Sequence, residues 1–301
     1  MATIYKSAAG RAAVLAAYDR GVAGLKIPVV SRVVETRFGA THMLVAGPAE
    51  APPLLVVHGA NGSADQMAAG LPWCASANLC HYLDVPGEPN RSSEVRPGKR
   101  GDGLGRWLGD VLGGLGIERA AMLGMSGGAY AVLRAAAVIP ARVERAVLLV
   151  PEGLSTARPL AFLMEVLWPM IRYQLRPGEA NARRVMAVLT GLRAEEVPAS
   201  AIERFRLVLD HVKAIADRGP MLSAEELAGF VAPVCIVAAG RDAVFPGEAA
   251  AQRARQVFNN LDLADVMVLP EAGHVHPDVV GPEVARRVGE FLRRGDGHAS
   301  A

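Results

Sequence analysis

Ser126 lies in the glycine-rich sequence GMSGG, between an apolar run and a second apolar stretch. Such a sequence is typical of a strand-to-helix turn, at which a side chain on Gly124 or Gly128 would make strand and helix collide. A hydroxyl held at this turn stands clear of the sheet and could attack an acyl carbon to form a covalent intermediate. Because G-x-S-x-G also occurs by chance in long chains, the motif needs partners before it indicates nucleophilic catalysis.

Two downstream residues could activate Ser126. Asp242 follows the apolar run VCIVAAG, and His274 lies in a glycine-containing loop after the next run, VMVLP. The chain order Ser, Asp, His is one in which a histidine base, oriented by a carboxylate, removes the serine proton. The sequence therefore predicts Ser126 as the nucleophile, His274 as the base and Asp242 as the acid.

Backbone donors for a developing oxyanion are predicted at two turns. The N–H of Gly127 lies at the start of the helix after Ser126, where no intrahelical acceptor is available. The run LLVVHG leads to Gly59, and the next residue, Ala60, would offer a second N–H. We interpret His58 as a residue that ties this loop by hydrogen bonds rather than one that transfers protons.

Three features compete with this assignment. Glu152 ends a strand from which an acid could reach the same histidine, but Asp242 has the better loop context. His276 lies two positions after His274 and could be mistaken for the base or for half of a metal pair. The turn GDGLG, residues 101–105, does not follow a strand and lacks the third glycine of a dinucleotide-binding turn. We predict no metal and no cofactor.

A long segment without predicted strands separates the serine from the acid. Residues 154–232 contain several amphipathic helical stretches, of which PLAFLMEVLWPMIRYQL carries many large apolar groups. We expect a helical cap in which most of this apolar stripe packs onto the sheet, while some of its side chains, Trp168 first among them, line an apolar substrate pocket. The alternative is that this stripe only packs the cap onto the sheet. Asn61, Met125 and Glu152 are the other predicted substrate-binding residues.

Short apolar runs alternate with helical stretches along the rest of the chain. VVETRF and THMLVAG indicate an antiparallel strand pair, and six later runs indicate buried parallel strands: LLVVHG, CHYLDV, AAMLG, RAVLLV, VCIVAAG and DVMVLP. Helices are predicted at Asp65–Ala77, Gly103–Leu115, Gly127–Ile139, Glu248–Phe258 and Pro282–Arg294. This alternation predicts an α/β fold with a mainly parallel eight-stranded sheet flanked by helices. Residues 1–153 and 233–301 would form the core domain, and the cap, 154–232, would be inserted before the strand that carries the acid.

Composition limits the class of protein. The 301 residues are 51% hydrophobic, enough for a large core, and 32 Lys and Arg face 30 Asp and Glu without a basic run that would suit nucleic acid. The sequence contains no run of 18 or more apolar residues, so we predict no insertion into a membrane. Three cysteines without C-x-x-C spacing and an N-terminal stretch unlike a signal peptide predict buried free thiols and a cytoplasmic protein.

The motifs together resemble the α/β-hydrolase superfamily. The HG loop, GMSGG, GRDAVFP and AGHVHP carry this likeness, and the runs TRFGATHMLVAGPAEAPPLLVVHG, LDVPGEPNRS and RWLGDVLGGLGIERAAMLGMSGG are similar to carboxylesterases of the bacterial naproxen-esterase type. The resemblance implies an α/β-hydrolase fold and hydrolysis of carboxylic esters by a serine nucleophile, without a cofactor. The family's nucleophile, acid and base fall on Ser126, Asp242 and His274.

The function expected from these features is hydrolysis of a small apolar ester through an acyl-enzyme on Ser126, by a monomer or a homo-oligomer. The same triad could serve thioester, lactone, acyl-transfer or carbon–carbon bond hydrolysis, because those chemistries differ in the cap and the acceptor rather than in the nucleophile turn. A noncatalytic binding module on the same fold is a third reading. Loss of a triad member would favour that reading, and the sequence has all three.

Overall fold

One sheet of eight strands runs through the part of the chain that the structure describes. The computed structural model describes residues 3–214, 217–259, 261–262 and 265–294. The strands are β1 (Val30–Thr36), β2 (Gly39–Ala46), β3 (Pro53–Val57), β4 (Leu79–Leu83), β5 (Ala120–Met125), β6 (Val143–Leu149), β7 (Val234–Ala239) and β8 (Val266–Leu269). They lie in the order β1-β2-β4-β3-β5-β6-β7-β8. The strand β2 runs in the opposite direction to the other seven. The predicted mainly parallel eight-stranded sheet is confirmed.

Helices cover both faces of this sheet. They are α1 (Ala8–Ala23), α2 (Ala64–Gly70), α3 (Gly103–Leu115), α4 (Gly127–Val138), α5 (Pro159–Phe162), α6 (Trp168–Leu175), α7 (Glu179–Thr190), α8 (Ala199–His211), α9 (Gly247–Val257) and α10 (Pro282–Arg293). Side chains of α3, α4 and α9 share one buried apolar cluster, and those of α2 and α10 share another. The sheet therefore has an apolar core on each side.

Neighbouring residues of β3 face these two different clusters. Leu55 and Val57 belong to the cluster of α3 and α4, whereas Leu54 and Val56 belong to that of α2 and α10. Side chains alternate across a strand, so a strand covered on both faces needs apolar residues at every position. This requirement explains the uninterrupted apolar runs from which the parallel strands are predicted.

One predicted helix is interrupted. A single helix from Asp65 to Ala77 is predicted, but α2 ends at Gly70 and a separate 3-10 turn, Pro72–Ser76, follows. Pro72 has no N–H to donate, and its ring clashes with the carbonyl one turn earlier, so the α-helix cannot continue. The prediction of one helix is wrong here. The other four predicted helices agree with α3, α4, α9 and α10 to within one residue at each end.

The described part of residues 150–233, between β6 and β7, contains α5 to α8 and no strand of the sheet. The N–H of Leu222 donates to the carbonyl of Gly153 at 3.1 Å, and the Leu222 side chain joins the cluster of α3 and α4. At the end of α8, the carbonyl of His211 accepts from the N–H of Lys6 at 2.8 Å. The segment therefore has fixed attachments to the sheet and to the residues before α1.

The stretch from α5 to α6 has an exposed apolar face. A π-helical turn, Leu163–Leu167, joins the two helices. The exposed side chains recur every three or four residues, which places them on one side of a helix: Leu160, Leu163, Met164, Leu167, Trp168, Ile171 and Leu175. Among the helices of the described ranges, none combines the length and the apolar character that a membrane span requires.

Candidate active site

Ser126 forms the turn between β5 and α4. Its backbone has φ 56° and ψ −117°, a conformation that residues with a side chain rarely adopt. The N–H of Ser126 donates to the carbonyl of Leu149 at 2.9 Å, and its carbonyl accepts from the N–H of Tyr130 at 3.1 Å. Hydrogen bonds from both neighbouring elements thus hold a strained turn at the carboxyl ends of the parallel strands.

The turn requires glycine at positions 124 and 128, because no side chain fits at either position. A Cβ on Gly124 would lie 2.3 Å from the carbonyl oxygen of Gly128. A Cβ on Gly128 would lie 2.1 Å from the carbonyl oxygen of Val57. Both separations are far inside van der Waals contact with backbone atoms, so the spacing of glycines around Ser126 follows from the close approach of β3, β5 and α4.

His274 connects Ser126 to Asp242. Its Nε2 lies 2.9 Å from Ser126 Oγ, and its Nδ1 lies 2.7 Å from Asp242 Oδ2. A carboxylate accepts hydrogen bonds, so Nδ1 carries the proton and Nε2 is left to accept from the serine hydroxyl. The structure thus brings together the three residues that the sequence predicts as nucleophile, base and acid.

The Asp242 carboxylate is fixed on its other oxygen. Oδ1 accepts from the N–H groups of Val244 at 2.7 Å and Phe245 at 2.9 Å, and the side chain is fully buried. The ring of Phe245 meets the imidazole of His274 edge-on, with 5.4 Å between the ring centroids. The acid is therefore oriented by backbone donors, and the imidazole is packed on one side.

The loop of His274 rests on the C-terminal end of α7. The N–H of Gly273 donates to the carbonyl of Thr190 at 3.1 Å, and the N–H of Val275 donates to the carbonyl of Leu189 at 2.9 Å. A Cβ on Gly273 would lie 2.6 Å from the nitrogen of Gly191, so the two backbones are in close contact. The helical segment between β6 and β7 therefore helps to position the histidine.

The backbone nitrogens of Ala60 and Gly127 lie close together beside the serine turn. A Cβ on Gly127 would be 3.3 Å from the nitrogen of Ala60. Gly127 is the first residue of α4, and within the described residues neither N–H donates to a protein acceptor. Two neighbouring unused donors, one of them at the positive end of a helix, suit an oxygen that develops negative charge.

The loop that carries Ala60 is held by its neighbours. His58 Nδ1 donates to the carbonyl of Gly59 at 2.7 Å, and its Nε2 accepts from the N–H of Val85 at 2.9 Å. Both ring nitrogens are occupied, which agrees with a role in tying the loop. Asn61 has φ 60°, is exposed, and donates its N–H to Glu88 Oε2 at 2.8 Å.

Glu152 is paired with Lys99 rather than with His274. Its Oε1 and Oε2 lie 2.8 and 2.6 Å from Lys99 Nζ, and Oε1 also accepts from the N–H of Gly219 at 2.8 Å. The side chains of Glu152 and Lys99 are only 5% and 12% exposed. The carboxylate that competes with Asp242 in the sequence is therefore engaged elsewhere.

Sequence reasoning did not identify Lys99. It lies in RPGKR, where a single lysine among proline and glycine has no spacing that indicates a site, and its partner Glu152 is 53 residues away. Tyr130 donates its hydroxyl to the Lys99 carbonyl at 3.0 Å, and burial raises the pKa of Tyr130 to about 12, which keeps this donor protonated. Lys99 is thus fixed at both its side chain and its backbone.

A small pocket, partly open to solvent, lies beside Gly127 and Ala60. Its apolar walls include Val85, Leu104 and Ala131, and its ionisable side chains are Glu88, Arg96 and Lys99. Trp168 is half-exposed at the start of α6 and is not among the residues that line this pocket, and Met125 is partly buried against the core. Within the described ranges, no three His, Cys, Asp or Glu side chains are grouped so as to hold a metal ion.

Comparisons with known proteins identify the family of the chain. The model of the alpha/beta hydrolase family matches residues 54–287. The uncharacterized carboxylesterase nap of Bacillus subtilis is 33% identical over 135 residues, which cover 44% of this chain and 45% of that protein. Carboxylesterase YbfK of the same species is 31% identical over 135 residues, 45% of this chain and 46% of the relative. The matches thus span about half the length of either relative.

A solved structure resembles nearly the whole chain. The naproxen esterase, carboxylesterase NP, of Bacillus subtilis superposes with a TM-score of 0.77 at 23% identity, over 95% of this chain and 99% of that chain. At this identity the likeness shows a common fold and does not transfer a substrate.

Proposed function

The chain belongs to the alpha/beta hydrolase family, and on that premise we propose that it hydrolyses carboxylic esters through an acyl-enzyme on Ser126. The observation that carries the proposal is the hydrogen-bonded chain from Ser126 Oγ to His274 at 2.9 Å and from His274 to Asp242 at 2.7 Å. The partial matches to two carboxylesterases support the same class of substrate.

Acylation begins when His274 Nε2 accepts the Ser126 proton as Oγ bonds to the ester carbonyl carbon. Asp242 stabilises the imidazolium that results and keeps the proton of Nδ1 in place. The carbonyl oxygen becomes an oxyanion, to which the N–H groups of Ala60 and Gly127 donate. Each such donor stabilises the transition state by about 3 kcal/mol.

The tetrahedral intermediate then collapses to the acyl-enzyme. His274 gives its proton to the departing alkoxide oxygen as the carbon–oxygen bond breaks, which releases the alcohol. A water molecule next donates a proton to His274 Nε2 and bonds to the acyl carbon. Collapse of this second intermediate returns the proton to Ser126 Oγ and releases the carboxylic acid.

Residues 154–232 are proposed to act as a cap on a core formed by residues 1–153 and 233–301. Two contacts support this division: α7 holds the loop of His274, and the N–H of Gly219 donates to Glu152 beside Ser126. A segment attached at these two places borders the site that the substrate must enter. Its sequence would then influence which esters reach the serine.

The decisive experiment is active-site labelling combined with hydrolysis of p-nitrophenyl esters. A fluorophosphonate should label the wild-type protein at Ser126, and Ser126→Ala should lose both labelling and turnover. Ser76→Ala is a matched control, because Ser76 is exposed and precedes β4, at the opposite end of the parallel strands from Ser126. Labelling at another residue, or full turnover by Ser126→Ala, would contradict the proposal.

A panel of thioesters and lactones tested beside the oxygen esters separates the related chemistries. Ester hydrolysis is supported when the oxygen esters give the highest kcat/KM. A higher kcat/KM for a thioester or a lactone would retain the role of Ser126 and replace the proposed substrate class.

A further inference from the structure

The pocket beside Gly127 combines apolar walls with charged side chains that are already neutralised. Lys99 Nζ lies 2.6 Å from Glu152, and Arg96 lies 2.7 Å from Glu88. Each of these four side chains is largely buried, and each cation faces one carboxylate. An additional carboxylate from a ligand would therefore bring an uncompensated charge into a poorly hydrated site.

Lys99 retains a donor that its salt bridge does not use. An ammonium group has three N–H donors, and the two short contacts to Glu152 engage two of them. Lys99 is among the residues that line the pocket, and Glu152 is the only hydrogen-bond partner of its ammonium group within the described residues, so a ligand there can accept from the third donor. Because Glu152 and Tyr130 hold the residue at both ends, this donor is ordered before a ligand binds.

The ammonium lies close to the predicted oxyanion donors. The position of a Cβ on Gly127 is 3.6 Å from Lys99 Nζ and 3.3 Å from the nitrogen of Ala60. A group bound in the pocket therefore lies within a few bonds of the carbonyl oxygen that those donors would receive. Recognition by Lys99 can thus be transmitted to the orientation of the reacting carbon.

The pocket is on the acyl side of the site. The leaving alkoxide must lie next to His274, since that residue supplies its proton. Ala60 and Gly127, which flank Ser126, line the pocket, whereas neither Ser126 nor His274 does. With the oxyanion between these two backbone donors and the alcohol at His274, the acyl chain is the substituent that enters the pocket.

We propose that Lys99 is a specificity-determining residue that selects acyl chains carrying an uncharged oxygen acceptor, such as an ether, keto or hydroxyl oxygen, a short distance from the ester carbonyl. This inference rests on the proposed ester hydrolysis. The apolar walls accept the carbon chain, and the free N–H of Lys99 donates to the oxygen. An acyl chain of hydrocarbon alone would leave that donor without a partner.

The test compares substrates of equal size. The set consists of phenyl hexanoate, three esters in which an ether oxygen replaces the third, fourth or fifth carbon of the acyl chain, and a half-ester that ends in a carboxylate. The double variant Lys99→Met, Glu152→Gln removes the donor without leaving a buried charge unpaired. Dividing the kcat/KM of each oxygen-containing ester by that of the hexanoate, in wild type and variant, cancels the intrinsic reactivity of the esters.

For the best ether ester, this ratio should fall about tenfold or more in the double variant, because a hydrogen bond to a charged donor is lost. The control Arg286→Met, Glu290→Gln removes an exposed pair on α10 and should leave the ratio unchanged. Thermal melting establishes that both variants fold. Should the Met variant unfold, Lys99→Leu with Glu152→Gln replaces it, since it also removes the donor and leaves no buried charge unpaired.

The outcomes separate this inference from the proposed function. Unchanged ratios in a variant that still hydrolyses hexanoate would overturn the role of Lys99 and leave ester hydrolysis standing. A wild-type preference for the half-ester would overturn the selection of uncharged oxygen. Failure of the wild type to hydrolyse any of the esters, with no fluorophosphonate labelling of Ser126, would overturn both.

Discussion

The N–H of Val275 donates to the carbonyl of Leu189 at 2.9 Å, which joins the loop of His274 to the end of α7. The N–H of Gly273 makes the adjacent bond, to the carbonyl of Thr190 at 3.1 Å. Residues on both sides of the histidine thus depend on a helix that is far from it in sequence. The position of the imidazole is consequently sensitive to changes in the segment between β6 and β7.

Gly273→Ala should lower kcat/KM by about a hundredfold, because a displacement of roughly 1 Å in a catalytic group has an effect of this size. The added Cβ would lie 2.6 Å from the nitrogen of Gly191, so the loop must move away from α7. Steady-state kinetics with a p-nitrophenyl ester measures the loss. Gly113→Ala is the matched control, since nothing lies within 4 Å of its Cβ position, and it should retain full activity. Equal activities in the two variants would contradict the coupling.

Ser126→Gly should be more stable than Ser126→Ala by about 1 kcal/mol, although neither should be active. At φ 56° a Cβ is strained, and glycine relieves that strain whereas alanine keeps it. The free energy of unfolding in guanidinium chloride measures the difference. Equal stabilities would show that the turn stores no strain at this position.

Asp242→Asn should reduce kcat by about four orders of magnitude, because an amide at this position favours the wrong tautomer of His274. Glu152→Gln should cost far less, since Glu152 bonds to Lys99 and Gly219 and not to the histidine. Single-turnover kinetics of both variants provides the comparison. A larger loss in the Glu152 variant would assign the acid to the end of β6.

Stability should decrease on acidification because of His81. Burial first, and the charge of Arg32 second, lower the pKa of His81 from 6.5 to about 4, and within the described residues neither ring nitrogen has a hydrogen-bond partner. Between these values the unfolded chain binds a proton that the folded protein does not. The stability that the neutral His81 contributes is therefore fully present above the pKa of the unfolded chain and is lost as the pH falls towards the pKa of the folded protein. Near pH 5 the free energy of unfolding is lower by about 2 kcal/mol for this reason.

The variant His81→Leu isolates this effect. The free energy of unfolding of the wild type should fall between about pH 8 and about pH 5. In the variant this fall should be smaller by roughly 2 kcal/mol. Urea denaturation at the two pH values gives both numbers. The same pH dependence in both proteins would assign the acid sensitivity to other groups.

The central parallel strands could be predicted because burial on both faces demands continuous apolar runs, as Leu54 to Val57 illustrate. The serine turn was equally accessible, since the close contacts of Gly124 and Gly128 leave a local signature. The break at Pro72 also follows from a local feature of the sequence, because a proline cannot continue an α-helix. These features are determined by residues close together in the chain.

Lys99 and Trp168 depend instead on tertiary structure. The partners of Lys99 are Glu152, just after β6, and Tyr130 on α4. No local spacing in the sequence predicts such contacts. Trp168 belongs to an apolar stripe that the sequence cannot assign to a pocket, to the core or to solvent, and the structure leaves half of its surface exposed. Which face of a helix is covered depends on neighbours that periodicity alone does not identify.

The position of Ser126 in the strand order also bears on how the protein is made. β5 and β6 are translated before the helical segment, whereas β7 and β8, which precede Asp242 and His274, are translated after it and lie at one edge of the sheet. A ribosome-bound chain that has completed β6 can form the strained serine turn but has no imidazole to pair with it. Until the outer strands have been synthesised and have joined the sheet, the Ser126 hydroxyl therefore lacks the hydrogen bond to His274 that the complete fold provides.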